Sequence, residues 1–172
     1  MHTYPHRWTD DTEVPDLESY RFTDALDVVA LAELDRTQGW KTWPEVWHLD
    51  DEGRLRCAFR ASSGQTLQRW ADDPRPLRRS RAEGLAGGGC PDRWLIVDSR
   101  PCGLSFRAGV DESDPAAFLA IRRDLATIGL TLVDAVVFDD QGHWWSMHEL
   151  TSGTTRWPEP GAAGASDITA IA

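Results

Sequence analysis

The chain has 172 residues and a formal charge of −10, from 18 Lys+Arg against 28 Asp+Glu. That length suits one domain, and 41% hydrophobic with 27% charged residues argues against wholesale disorder and fibrous repeats. The net acidity argues against a nucleic-acid coat or an anionic-membrane binder, both of which need a positive field.

Residues 1–22 lack the apolar core of a signal peptide and carry Asp10, Asp11, Glu13, Asp16 and Glu18. No apolar stretch reaches the roughly 20 residues of a membrane span, so a cytoplasmic location is expected. This first stretch reads as a partly ordered acidic arm. A helix follows over 24–38, with Thr23 as N-cap, Ala25, Val28, Val29 and Ala32 on one stripe, and Gly39 as the stop.

Residues 46–60 predict a β-hairpin around Asp51-Glu52-Gly53, with Gly53 left-handed in a G1 bulge. The expected register pairs Trp47 with Cys57 and Leu49 with Leu55. It puts Phe59 on that apolar face and His48, Asp50, Arg54, Arg56 and Arg60 on the other. Residues 65–71 suggest a short helix, 72–81 a basic connection, and 87–91 a glycine-rich loop. Residues 94–97 read as a buried strand that turns at 100–103 into a partner over 104–107.

A helix over 115–128 is marked by Asp114 as N-cap, Pro115 at the first position and Gly129 as the stop, with Phe118, Ile121, Leu125 and Ile128 inward. A second Asp-Gly-type hairpin at 137–144 sets Asp139 opposite His143, with Val136, Phe138 and Trp144 on one face and Val137, Trp145 and Met147 on the other. Beyond Leu150 the composition predicts a flexible tail. The expected organisation is therefore an arm (1–22), a single α+β domain (23–150) and a tail (151–172). The domain is expected to be an antiparallel twisted sheet of about five to seven strands built from hairpins, with one or two helices on one face.

Charge is uneven along the chain: −9 over residues 1–52, +6 over 53–81 and −7 over 82–172. Pairing of the central arginines with flanking carboxylates is the plainer reading; an anion-binding loop at Arg75, Arg78, Arg79 and Arg81 is the sharper one. Cys57, Cys90 and Cys102 are an odd set without CxxC spacing, which disfavours a disulfide framework and a zinc site. His143 and His148 fall on opposite faces of a strand, so no metal or cofactor is expected. Phosphate-loop, GxSxG and HExxH signatures are absent. Cys57 and His48 are expected on opposite faces, which would exclude a thiol–imidazole pair.

Two functional expectations follow. The first is a protein-binding module that engages a basic partner through Asp50, Asp51 and Glu52, with Trp43, Trp47, Trp144 and Trp145 as aromatic anchors. In overall character, though by no residue motif, such a chain resembles the small acidic immunity proteins that accompany bacterial toxins. That implies an inhibitor of a basic partner; the net acidity separately argues against a membrane and disfavours nucleic acid as partners. The second is a small-molecule-binding protein or enzyme with a Trp-lined pocket, using Asp139 and His143 as an acid–base pair.

Overall fold

A computed structural model of the chain describes residues 2–3, 20–37, 44–61, 66–86, 91–100, 110–139 and 143–158. The elements are β1 (His2–Thr3), α1 (Ala25–Thr37), β2 (Glu45–Leu49), β3 (Leu55–Arg60), α2 (Leu67–Asp72), α3 (Arg75–Ala86), β4 (Arg93–Arg100), α4 (Asp114–Ala126), β5 (Thr131–Asp139), β6 (His143–Ser146) and α5 (Met147–Ser152). The class is α+β, and the strands form one sheet in the order β1-β6-β5-β4-β2-β3. Among the described residues no helix is long and apolar enough to cross a membrane.

The sheet is mainly antiparallel but mixed. β4 pairs with β5 in parallel, and α4 lies between them in sequence. β4 runs on from the expected 94–97 to Arg100, and the turn at 100–103 with its partner strand over 104–107 lies outside the described residues beyond Arg100. A cue to the parallel pair was available, because Trp94-Leu95-Ile96-Val97 and, apart from Asp134, the run Leu132–Phe138 are apolar without alternation, as strands covered on both faces are.

Helices cover both faces rather than one. Alternate residues of β2, β4 and β5 enter two separate cores. Trp47, Leu95 and Val136 pack with Val28 and Val29 of α1, while Val46, Ile96 and Val137 pack with Trp70 of α2, Leu77 of α3 and Phe118 of α4. Burial of both faces is why the central strands carry so few polar residues. The stretch expected as a basic connection is helical, forming the end of α2 and most of α3. Thr66 caps α2, its hydroxyl accepting from the Arg69 amide at 3.2 Å.

Segments assigned by sequence to the arm and tail supply core residues. Phe22 is buried, and Trp157 is buried in the same cluster. Asp24 bridges to Arg156, so chain from both ends closes over α1's side of the sheet. His2 and Thr3 pair with Trp144 and His143 as an added edge strand.

The first hairpin keeps its turn, with Gly53 at φ 80°, but a bulge at His48/Leu49 changes its register. Leu49 faces Leu55 as expected, whereas His48 faces Cys57 and Trp47 faces Ala58. One extra residue on β3 moves Cys57 and Phe59 to the opposite side from Leu55.

Candidate functional site

Parallel strands expose their carboxyl ends together, and the carboxyl ends of β4 and β5 gather the polar side chains of one face. Arg100 is in register with Asp139, and Asp98 with Val137. Arg100 donates from Nε to Asp98 Oδ2 at 2.9 Å, and from Nη1 and Nη2 to the two oxygens of Asp114 at 2.6 and 3.1 Å. Asp98 and Asp114 are both buried. Burial alone would weaken the charge on Arg100, but the bonds to Asp114 and the charge of Asp98 outweigh it and hold the guanidinium protonated above its ordinary range. Burial also pushes the Asp98 carboxyl up, only partly offset by Arg100.

Asp114 was expected to cap α4. Ser113 holds the N-cap position, without a side-chain cap bond, and the Asp114 carboxylate instead accepts from Arg100 and from the Asp111 amide at 2.7 Å. A guanidinium fork offers a carboxylate two charge-assisted bonds, more than a single amide can.

Asp139 and His143 meet as the hairpin reading required. Asp139 is fully buried, accepting from the His143 amide at 2.9 Å and lying 3.0 Å from His143 Nδ1. A carboxylate only accepts, so Nδ1 carries the proton and Nε2 is left as the ring's basic atom. The His143 side chain is 30% exposed, and its ring centroid lies 6.2 Å from that of half-buried Trp145. A fixed, partly accessible imidazole beside an indole can exchange a proton with a bound molecule.

The expected partner-binding residues are dispersed. Trp47 and Trp144 are buried in the α1-side core, so they are not surface anchors: an indole is the largest apolar group available to fill the space under α1. Trp43 lies outside the described residues. Asp50 accepts from the Arg54 and Glu52 amides and from Arg56. Burial raises its carboxyl, but these donors more than offset that and hold it below its usual range. Glu52 pairs with Arg21 and Arg54, and Asp51 is exposed at the tip.

The central arginines follow the plainer reading only in part. Arg60 and Arg78 reach carboxylates of the flanking segments, Glu45 and Asp124, while Arg75 pairs with Asp73 within its own segment and Arg81 donates to the Ile128 carbonyl.

Two buried groupings went unseen in the sequence. His48 Nδ1 lies 3.3 Å from Cys57 Sγ, the pair that the simple register had excluded. Burial pushes the His48 imidazole down to about 4 and the Cys57 thiol up, so both stay neutral and the thiol is not activated. Asp134, also buried, takes four donors: the Ala135 and His148 amides on Oδ1, and the Ser146 hydroxyl and Trp157 indole on Oδ2. Among the described residues no three His, Cys, Asp or Glu side chains are placed to hold a metal ion.

The fold and this strand-end cluster define the chain as an α+β protein with a mixed sheet and a polar site at the carboxyl ends of its parallel strands. In comparison with known proteins, no family model and no curated protein matches it.

Proposed function

We propose that this protein binds a small molecule at the carboxyl ends of β4 and β5, and that His143 moves a proton to or from it. The observation that carries this reading is the two-point grip of buried Asp139 on His143, through the amide and through Nδ1. Such a grip sets the tautomer and fixes the ring, leaving Nε2 as the atom that takes or gives the proton. Trp145 gives a flat apolar wall beside the ring. Arg100 is neutralised by Asp98 and Asp114, so it serves as a rigid frame for the site rather than as a free anion clamp.

The test is a thermal-shift screen of polar and aromatic metabolites on the wild type, followed by His143→Gln and Trp145→Ala. A true ligand shifts the His143 imidazole resonances in nitrogen-15 spectra and loses its effect in both variants. Ligands that bind equally well to both variants would sink the reading.

A second reading keeps one support. Asp51 and Glu52 are exposed at the β2–β3 tip of a protein of charge −10, which suits recognition of a basic protein partner in the manner of an inhibitor or immunity protein. Affinity for such a partner should fall with salt and with Asp51→Ala plus Glu52→Ala; indifference to both changes rejects it.

A further inference from the structure

We infer that the outer edge of β3 takes up an extended acidic segment of a protein partner by strand addition. β3 ends the sheet, and among the described residues only β2 pairs along it. The Ala61 amide donates to the Pro44 carbonyl at 2.9 Å, which sets the phase of the antiparallel ladder. With 44/61, 46/59 and 48/57 as the bonded pairs, the N–H and C=O groups of Ala58 and Arg60 point away from β2. Those four groups form a template for another strand. The chain itself shows that this side accepts one: Arg21 bridges Arg54 in antiparallel sense just before β3, and the Phe22 amide donates to the Gly53 carbonyl at 2.8 Å.

Charge selects the occupant. Arg56 and Arg60 are exposed on either side of the small, exposed Ala58. In a second copy paired about Ala58, Arg56 would face the other copy's Arg60. Sliding by two residues one way would bring Arg60 against Arg54, and sliding the other way sets Arg60 against Ala58 but leaves a shorter overlap of the two edges. Like charges directly opposite destabilise a sheet, so the edge resists its own copies. A segment with carboxylates at i and i+4 around a small residue meets both arginines instead. Arg56 and Arg60 now pair with Asp50 and Glu45 in exposed contacts, which exchange partners at little cost. On the other face half-buried Cys57 and Phe59 offer an apolar flank for the alternate residues of the incoming strand.

The probe is the peptide acetyl-Thr-Glu-Val-Ser-Val-Glu-Thr-amide, titrated by calorimetry and by amide shifts of Ala58 and Arg60. It should bind roughly tenfold tighter than its lysine counterpart. Ala58→Pro removes an outward N–H and spares the β2–β3 ladder, so it should abolish binding while the melting curve is kept. Should that variant fail to fold, a peptide N-methylated at alternate amides makes the same test on the wild type and should not bind. Equal binding of glutamate and lysine peptides, or full binding of the N-methylated one, overturns the proposal. So does a wild-type dimer in light scattering that Ala58→Pro dissolves, which would give the edge to a second copy. Binding seen only after Asp10, Asp11, Glu13, Asp16 and Glu18 are changed to their amides would give it to the chain's own acidic stretch and overturn it equally.

Discussion

The imidazole of His48 lies flat on the indole of Trp94, ring centroids 4.3 Å apart and planes 12° apart, with Cys57 at its Nδ1 edge and Phe59 4.9 Å away. A fully buried ring in such surroundings is held neutral, and burial sets its pKa at about 4.

Stability should therefore depend on pH through His48. A folded pKa below the unfolded one means that the unfolded chain takes up a proton that the folded chain refuses. The contribution is complete above about pH 6.5 and is lost as pH falls toward about 4, amounting to about 3 kcal/mol at most. His48→Phe keeps the stacking and should flatten this part of the profile. Urea melts across that window would show it; an unchanged slope in the variant would assign the pH dependence elsewhere.

Asp134 should act as a unit with Trp157. Replacing it by Asn keeps an acceptor for the Ala135 and His148 amides but turns an N–H₂ toward the Trp157 indole donor. An orphaned buried donor costs about 1–3 kcal/mol. In a Trp157→Phe background, where that donor is gone, Asp134→Asn should cost clearly less. Equal costs in the two backgrounds would show that the Trp157 bond is not the coupling.

Arg100→Met should steepen the local pH response that buried Asp98 already sets. It leaves Asp98 and Asp114 buried without their cation, at a cost of about 3–5 kcal/mol near neutrality. Carboxyls raised in the folded state bind protons that the unfolded chain has released, so the variant regains stability as pH falls toward about 4. A deficit that does not shrink on acidification contradicts the assignment.

Gly53 and Gly129 should differ on replacement by alanine. Both have positive φ, but a Cβ on Gly53 would sit 2.6 Å from the Phe22 carbonyl oxygen, whereas one on Gly129 meets nothing within 4 Å. Gly129→Ala should cost about 1 kcal/mol from backbone strain alone, and Gly53→Ala distinctly more, because the added Cβ meets backbone oxygen rather than a flexible side chain, beside the Phe22–Gly53 bond. Matching melting temperatures for the two variants would refute the close approach.

What could be read from the residues was local: α1 from its stripe, α4 from its stripe and its Gly129 stop, the first hairpin from its Gly53 turn, and from the second strand pair the meeting of Asp139 with His143. These rest on contacts a few residues apart, where period and turn chemistry act directly. Tertiary structure decided the rest. The parallel β4–β5 pair joins segments nearly forty residues apart and puts Arg100 in register with Asp139, while the packing of α4 brings Asp114 to Arg100. A single bulged residue turned Cys57 toward His48, because a strand's faces alternate and one insertion inverts every position beyond it. The tryptophans show the same division: their number is plain in the sequence, but which of the described ones are core was settled only by where two helical layers closed over the sheet.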